Sequence, residues 1–457
     1  MGSYDDYCNA ALGDERLSKR LARLLEQLSG NPGASISAAC RDPYQAKAVY
    51  RFVGNDEVTA EAITKITQEL TVGRINEAKP SVLLIPQDTT ELNYSGLLET
   101  NGLGTIGGKS TTRGFLVHSS IAVAETGEVF GLLAQKQWVR PPEELGKTKS
   151  RRFDQPIEEK ESYKWLETIE KSKVTVPDGT TVVHICDREG DIYELFCKAE
   201  NENTQYLCRR RHERGIEDED GPKLLTDFVN TLPVADTINV QVPRDSHTKR
   251  IARNAEVEVR YGKCKIVKTR RLYGSKDLPE SIYVYAISAV EKDVPQGQEG
   301  ISWQLITNVP TESFEDAVTR IMWYTHRWKI ETFHRTLKSG CKVEELQSES
   351  AYKLMKLIAI YSIIALQIML LSHVARTRPD ESCEIWLTED EWKILYRVAN
   401  KTRELPEKIP TIQEAVVMIA KIGGFLARKS DGFPGVTVTW RGLTSLYAIL
   451  EAVPYLT

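Results

Sequence analysis

The apolar positions of the first 75 residues predict a small helical unit. Asn31-Pro32-Gly33 ends the first helix. A second helix is expected over Tyr44 to Phe52, and a third begins near Thr59. The first helix is indicated by leucines that recur on one face: Leu17, Leu21, Leu24 and Leu25.

The pattern changes at Pro80, where helical spacing gives way to short apolar runs rich in β-branched residues. The predicted strands are Val82 to Ile85 ending near Asp88, Phe115 to Ala124, Val129 to Trp138, Thr181 to Cys186, Tyr206 to Arg209 and Trp303 to Thr307. Pro141 to Pro156 is expected to be a surface loop. The predicted helices are Glu158 to Glu170, Ile192 to Glu200 and a long amphipathic one from Phe314 to Lys338.

Residues 222–300 alternate β-like segments with turns and predict a mostly antiparallel insertion. Its strands are expected at Ile238 to Val242, Ala255 to Arg260, Lys265 to Leu272 and Ile282 to Ile287. The order of elements predicts an α/β ribonuclease-H-like (retroviral-integrase-like) core with a mixed sheet and a β-rich insertion. The expected units are 1–75, helical; 76–376, the core with its insertion at about 222–300; and 377–457, a helical tail.

The most apolar stretch, Leu357 to Leu371, predicts a buried core helix. It is shorter than the roughly 20 residues that a membrane span needs, so no membrane partner is expected. Hydrophobic residues make up 41% and charged residues 27% of the 457-residue chain, which is ordinary for a globular protein.

A net charge of −4 argues weakly against nucleic acid as a partner, but phosphate binding depends on local patches. Two basic runs supply such patches: Arg209, Arg210, Arg211, His212 and Arg214, and Lys263, Lys265, Lys268, Arg270 and Arg271. The eight cysteines include no CxxC pair, which argues against a zinc site and suits a reducing cytoplasm.

The sharpest local motif lies on the long predicted helix. Tyr324, Arg327, Glu331 and Lys338 follow one another at offsets of 3, 7 and 14, which places all four along one helix face. A solvated helix face is the ordinary alternative. The mixture of one carboxylate, one phenol and two cations, crowded by aromatic residues, favours a functional face.

Two further acids follow apolar strands. Asp187 ends the run from Thr181 to Cys186, and Asp88 follows the first strand of the core. Sites in α/β folds are built at the carboxyl ends of strands. The alternatives are a helix cap for Asp187 and turn chemistry for Asp88.

Three carboxylates suit a hard divalent cation, which prefers oxygen ligands. Two ions about 4 Å apart can activate an attacking oxygen and stabilise a leaving oxygen in phosphodiester displacement. Asp88, Asp187 and Glu331 therefore predict a two-metal site for Mg²⁺, with Mn²⁺ as a substitute.

At these residues the sequence resembles the DDE transposases of the insertion-sequence-four family, and most closely its transposon-five branch. The Tyr324, Arg327, Glu331, Lys338 spacing is the most specific match. Shorter matches run along nearly the whole chain: Ala11-Leu12-Gly13-Asp14, Asp88-Thr89-Thr90, Cys186-Asp187-Arg188-Glu189, His326-Arg327-Trp328, Gly423-Gly424-Phe425 and Trp440-Arg441-Gly442.

The resemblance implies a metal-binding triad of Asp88, Asp187 and Glu331. Tyr324, Arg327 and Lys338 would contact phosphates near the cleaved end. Trp303 would stack on a flipped base, with Trp328 assisting, although on residues alone Trp303 is better interpreted as a core aromatic.

The resemblance also implies partners: double-stranded DNA (inverted repeats at the transposon ends, and target DNA) and a second copy in a synaptic homodimer formed through the tail. Localisation would be the bacterial cytoplasm, on the nucleoid when bound to DNA. The DNA-binding candidates are Arg16, Lys19, Arg20, Arg23, Lys47 and Arg51 in the N-terminal helices, and Arg209, Arg210, Arg211 and Arg214 in the core.

The expected function is cut-and-paste transposition through a hairpin intermediate. Fewer residues precede Gly13 than in the transposon-five branch, so part of the end-binding arm is expected to be missing or shorter. The sequence also stops soon after Trp440, so a shorter or differently built dimerisation helix is expected. Two alternatives stay open: a catalytically silent DNA-binding inhibitor of transposition, and another two-metal nuclease on the same fold, such as a resolvase.

Overall fold

The structure is a computed structural model of the chain. It describes residues 4–8, 12–40, 42–107, 111–141, 156–202, 204–217, 223–242, 250–269, 272, 277–428 and 431–453. The interior of the predicted loop from Pro141 to Pro156 lies outside these residues, as do Arg270 and Arg271.

The N-terminal region is helical, as predicted. Its helices are α1 (Asp5–Cys8), α2 (Glu15–Ser29), α3 (Ile36–Ala39), α4 (Pro43–Val53) and α5 (Ala60–Ala78). The Asp14 carboxylate caps α2 by accepting a hydrogen bond from the Arg16 N–H at 2.7 Å. Asp42 caps α4, whose first residue is Pro43. The local sequence therefore sets where both helices begin.

Helix α5 runs past the predicted boundary at residue 75 and packs on the sheet. The Thr71 hydroxyl donates to the Leu132 carbonyl at 3.0 Å, and Arg74 Nε donates to the Phe130 carbonyl at 2.5 Å. By its contacts, α5 is part of the core.

The described strands form one sheet. They are β1 (Val82–Asn93), β2 (Gly104–Thr105), β3 (Arg113–Ala124), β4 (Val129–Trp138), β5 (Thr181–Cys186), β6 (Gln205–Arg209), β7 (Gly215–Glu217), β8 (Lys223–Leu224), β9 (Asp236–Val242), β10 (Arg253–Val267), β11 (Ser281–Glu291) and β12 (Ser302–Thr307). At its centre the order is β4-β3-β1-β5-β6. Strands β4, β3 and β1 are antiparallel, whereas β5 and β6 run parallel to β1. This is the ribonuclease-H-like arrangement, and it confirms the predicted fold class.

The β-rich insertion extends this sheet. Strand β12 pairs antiparallel with β6, and β11 and β10 follow in order. The two strands predicted over Ala255 to Arg260 and Lys265 to Leu272 are one strand, β10. Gly262, at the junction, leaves room for Leu232 and Phe228 to pack against the strand.

Asp88 lies inside β1 and not at its end, which corrects the prediction. The strand continues to Asn93 because β3 pairs with it along this length, from Leu83 with Ala124 to Asn93 with Gly114. The parallel pairing of β1 with β5, however, stops before Asp88, at Pro86 with Ile185.

Helices α6 (Tyr163–Lys171), α7 (Tyr193–Asn201) and α8 (Leu225–Thr231) cover one face of the sheet. The predicted long helix from Phe314 to Lys338 is three segments: α9 (Phe314–Thr325), α10 (Trp328–Arg335) and a π-helical turn (Thr336–Gly340). The expectation of one continuous helix was wrong. His326 caps the first segment, and its Nε2 contacts the Glu125 carbonyl at 2.9 Å in the β3–β4 turn.

The C-terminal region consists of α11 (Ala351–Thr377), α12 (Glu389–Asn400), α13 (Ile412–Ile422) and α14 (Val436–Ala452). Helix α11 has the length and hydropathy of a membrane span, but 83% of its most apolar window is buried inside the protein. The predicted core helix is thus confirmed, although it is longer than the sequence suggested. Helices α13 and α14 cross closely, since a Cβ on Gly442 would overlap the Ile419 carbonyl oxygen.

Candidate active site

Asp88 and Asp187 occupy equivalent positions on neighbouring parallel strands. The last pair between β1 and β5 is Pro86 with Ile185, and each acid comes two residues later in its own chain segment. Parallel strands run side by side in one direction. The fold therefore brings these two acids, far apart in sequence, to the same edge of the sheet.

The two carboxylates repel each other. Burial and the Asp187 carboxylate raise the pKa of Asp88 to about 7, and burial raises the pKa of Asp187. Asp187 also accepts a hydrogen bond from the Glu189 N–H at 2.7 Å and caps the 3₁₀ turn Arg188–Gly190. The capping alternative for Asp187 therefore holds, and it leaves the other carboxylate oxygen for a further partner.

Glu331 lies on α10, which packs over β1. Its carboxylate accepts a hydrogen bond from Arg327 Nη2 at 2.5 Å. Glu331 raises and Arg327 lowers the pKa of Asp88, so both charges act on the acid pair. The third predicted acid is thus near the other two but is engaged by a cation.

The Asp88–Asp187 pair fits a divalent cation. Its donors are carboxylate oxygens, and a cation between them would relieve their repulsion. Among the residues that the structure describes, no three His, Cys, Asp or Glu side chains are grouped closely enough to hold a metal ion. One oxygen of Glu331, Oε1, is held by Arg327 in this arrangement.

The break between α9 and α10 does not scatter the polar stripe. Burial raises the pKa of Tyr324 to about 12, and its ring lies 6.3 Å from that of Trp303. Lys338 Nζ donates to the Glu91 carbonyl of β1 at 2.9 Å and lies 3.4 Å from the Glu344 carboxylate. Trp328 is 52% exposed. Tyr324 therefore packs beside Trp303 of β12, whereas Lys338 reaches β1.

Two family models match the ends of the chain. Residues 5–58 match the transposase DNA-binding domain, and residues 363–457 match the dimerisation domain of the Tn5 transposase. Together the two matches point to a Tn5-like transposase for this chain. It is thus a DNA transposase with a DNA-binding domain and a dimerisation domain, in a family of enzymes that cut and join DNA.

One solved structure is similar over 80% of this transposase and 68% of its own chain. It is the cryo-EM structure of the piggyBac transposase synaptic complex with hairpin DNA, with 10% sequence identity and a TM-score of 0.35. The dimerisation match begins inside α11, before the predicted boundary at residue 377. The exact domain limits stay a prediction.

The DNA-binding domain presents a basic surface. Arg16, Arg20, Lys47 and Arg51 line one groove with Tyr44, which is 85% exposed. The six predicted end-binding cations are all exposed: Arg16, Lys19, Arg20, Arg23, Lys47 and Arg51.

Arg214 of the transposase is a structural residue, and the prediction that it contacts DNA was wrong. It is 3% exposed, and its guanidinium forms an ion pair with the buried Asp191 carboxylate. Asp191 also accepts hydrogen bonds from the Arg211 and His212 N–H groups, both at 2.7 Å. A guanidinium held in this way is not available to a phosphate.

The other arginines of this run differ in exposure. Arg210 is turned inward, where Nη2 donates to Thr226 Oγ1 at 2.8 Å. Arg209 donates to the Ser302 carbonyl at 2.9 Å and lies close enough to Tyr324 for the two groups to interact. Arg211 is exposed. Arg209 and Arg211 stay predictions as DNA contacts, and Arg210 is poorly placed for one.

Two histidines of the site were missed from the sequence. His334 Nδ1 lies 3.9 Å from Asp88 Oδ2, but burial lowers the pKa of His334 to about 3, so this contact is not an ion pair. His118 lies on β3 between the side chains of Gln87 and Thr89. The polar run His118-Ser119-Ser120 inside an apolar strand was the available signal.

Proposed function

We propose that this transposase is a cut-and-paste enzyme that binds terminal inverted repeats, cleaves the transposon ends and joins them to target DNA. The observation that carries the proposal is the placement of Asp88 and Asp187 two residues beyond the last β1–β5 pair, under the helix that bears Glu331.

Asp88 and Asp187 would hold the metal, Mg²⁺ or Mn²⁺ and two ions per site, with Glu331 as the third ligand. The bound ions would activate the attacking oxygen and stabilise the leaving oxygen of the phosphodiester. The raised pKa of Asp88 supports this assignment, because burial and a second carboxylate disfavour the Asp88 anion and a bound cation would favour it.

Arg327 and Glu331 would exchange partners when DNA binds. A phosphate near the cleaved end would take the Arg327 guanidinium from Glu331, and Glu331 would then be free to join Asp88 and Asp187. Tyr324 and Lys338 would donate to the same stretch of backbone. Trp303, beside Tyr324, and the exposed Trp328 would take a base flipped from the end of the duplex.

The proposed reaction is a series of displacements at phosphorus. Water attacks first, which breaks a P–O bond and leaves a 3′-hydroxyl on one strand. That hydroxyl would attack the opposite strand, which closes a hairpin on the transposon end and releases the flanking DNA with a 3′-hydroxyl. Water would then open the hairpin and regenerate the 3′-hydroxyl of the transposon end, and this hydroxyl would attack a phosphodiester of target DNA and displace a target 3′-hydroxyl. Two copies, paired through the C-terminal region, would hold two ends in a synaptic complex.

The test uses Asp88→Asn, Asp187→Asn and Glu331→Gln on a duplex that carries the inverted repeat flanking the gene. We expect each variant to lose Mg²⁺-dependent cleavage by roughly a thousandfold or more, while gel-shift binding of the duplex stays within about twofold. Glu189→Gln, an exposed acid beside Asp187, is the matched control and should cut normally.

Cleavage at the wild-type rate by any of the three variants would remove that acid from the triad. A wild-type protein that binds the repeat but never cuts it in Mg²⁺ or Mn²⁺ would instead be the silent regulator of transposition. Cutting without strand-transfer products would indicate a different two-metal nuclease.

A further inference from the structure

One chain of buried hydrogen bonds links the backbone neighbours of the two acids. Thr89 Oγ1 lies 2.8 Å from His118 Nδ1, and His118 Nε2 lies 3.0 Å from Gln87 Oε1. Gln87 Nε2 in turn donates to Cys186 Sγ at 3.6 Å. Gln87 and Thr89 flank Asp88, and Cys186 directly precedes Asp187.

The donors and acceptors along these hydrogen bonds can be assigned. Burial, and then the nearby Lys164, hold the pKa of His118 well below its usual value, so the imidazole is neutral and has one donor and one acceptor nitrogen. The Gln87 carbonyl oxygen can only accept, so His118 Nε2 donates to it and Nδ1 accepts from the Thr89 hydroxyl. The three contacts are therefore mutually consistent in donor and acceptor.

The chain supports Asp88 from the opposite face of the sheet. Side chains alternate along a strand, so Gln87 and Thr89 point to one face and Asp88 to the other. His118 is the register partner of Thr89 on β3. Its ring meets the edge of Trp165 on α6, with centroids 4.7 Å apart and planes at 72°. The imidazole is therefore clamped between the sheet and α6, without touching either acid.

These hydrogen bonds lie where the backbone pairing of β1 with β5 ends. Backbone pairing of β1 with β5 ends at Pro86 and Ile185, so the ladder does not itself reach Asp88 and Asp187. The Gln87–Cys186 contact is the next connection between the two strands, and His118 fixes the Gln87 amide that makes it. Distortion at this level would change the spacing of the two carboxylates.

We infer that His118 is a positioning residue that sets the separation of Asp88 and Asp187, and through it the affinity of the acid pair for divalent cations. The inference rests on the proposed function of that pair. Partners behind metal ligands commonly change metal affinity by about 10- to 100-fold when they are removed, and we expect Thr89 and His118 to act in this range.

The test measures Mn²⁺ binding to the full chain without DNA, by the electron paramagnetic resonance signal of the free ion. Thr89→Val keeps the side-chain shape and removes the hydroxyl, and His118→Phe removes both nitrogens. We expect each variant to bind Mn²⁺ about 10- to 100-fold more weakly and to need correspondingly more Mn²⁺ for end cleavage.

Ser120→Ala is the matched control. Ser120 is buried on the same strand and bonds Ser172 at 2.8 Å, but that contact leads away from both acids. The control should lose stability without losing Mn²⁺ affinity. In the double variant Gln87→Leu, His118→Leu, apolar groups replace both partners, which restores stability relative to a single change. Mn²⁺ affinity should stay low in it, which separates positioning from stability.

Asp88→Asn distinguishes a failure of the proposed metal site from a failure of the positioning role of His118. If Asp88→Asn binds Mn²⁺ as the wild type does, or the wild type binds none, the proposed metal site fails, and this inference fails with it. If Asp88→Asn abolishes binding while folded Thr89→Val and the double variant keep wild-type affinity, only the positioning role of His118 is overturned. Thr89→Val decides the question even if His118→Phe does not fold.

Discussion

Two acids at one edge of the sheet, the buried Asp191 and the half-buried Asp88, have opposite surroundings. Asp191 is enclosed by Arg214 and by the N–H groups of Arg211 and His212. Asp88 faces a second carboxylate, Asp187, and its pKa is raised to about 7 by burial and by that neighbour. Both acids belong to the same edge of one sheet, yet one charge is compensated and the other is not.

The difference distinguishes an acid that stabilises the fold from an acid that can bind a cation. A buried charge with a full set of partners stabilises the fold and has nothing left to offer a ligand. A buried carboxylate that faces a like charge costs stability in the free protein and gains most when a cation arrives. The contrast therefore predicts opposite effects of mutation at the two sites.

The largest expected effect is on stability at Arg214. Arg214→Ala leaves the Asp191 carboxylate buried and without its counter-charge, so the free energy of unfolding should fall by about 3–5 kcal/mol. Urea denaturation measures it. Arg211→Ala, which removes an exposed arginine of the same run, should change stability by less than about 0.5 kcal/mol. A loss below about 1 kcal/mol at Arg214 would show that the pair is not structural.

A buried base extends the comparison. Burial lowers the pKa of His184, on β5, to about 4, whereas the unfolded chain takes up the proton near pH 6.5. The neutral imidazole is therefore favoured by folding. Its contribution is fully present above pH 6.5 and is lost as the pH falls from there toward 4, by on the order of 3 kcal/mol in total.

Unfolding free energies from pH 7.5 to pH 4.5 test this contribution. The wild type should lose more stability across the range than His184→Gln, by close to one proton in the pH slope. His212→Gln, a change at an exposed histidine, serves as the control and should follow the wild type. Equal slopes for the wild type and His184→Gln would contradict the assignment.

Strands were the most predictable part of the fold. Thr181 to Cys186 was predicted to the residue, since a β-branched run between turn signals has few alternatives. The break between α9 and α10 was not predictable, because no glycine or proline marks it. It coincides with a contact between His326 and the Glu125 carbonyl, 201 residues away in sequence.

The sequence pointed to the acids of the candidate site but not to the ion pairs around it. Glu331 was marked by its helix face and Asp187 by the end of its strand, whereas Asp88 lies mid-strand and rested on the family resemblance. Arg214 looked like one more cation in a basic run. Its partner, Asp191, lies 23 residues away in sequence, and only the folded chain shows that the two meet.

A moderate and opposite change is expected at Asp88. Without metal at pH 8, Asp88→Asn removes the repulsion from Asp187 and should raise the free energy of unfolding by about 1 kcal/mol. Asp191→Asn, the matched change at the compensated acid, should lower it by about 3 kcal/mol. Adding Mg²⁺ should raise the melting temperature of the wild type but not of Asp88→Asn. Destabilisation by both substitutions would end the distinction between the two acids.

The smallest expected effects concern the cations of the DNA-binding domain. A cation without an acidic partner is more available to a DNA phosphate than one that is already paired. Lys19 is already paired with Glu15 at 2.5 Å, whereas Arg20 lines the groove that Arg16, Lys47 and Arg51 share. A cation that neutralises a phosphate releases a counterion, so removing it lowers the slope of log K against log salt by about 1.

We expect Arg20→Ala to show that loss with the terminal-repeat duplex between 50 and 200 mM salt, roughly the range over which such contacts are resolved. Lys19→Ala should show a smaller loss, because Glu15 already competes for its charge. Lys393→Ala, a change on α12 outside the residues matched as DNA-binding, should show none. Equal slopes for Arg20→Ala and Lys393→Ala would place the transposon end on another surface of the domain.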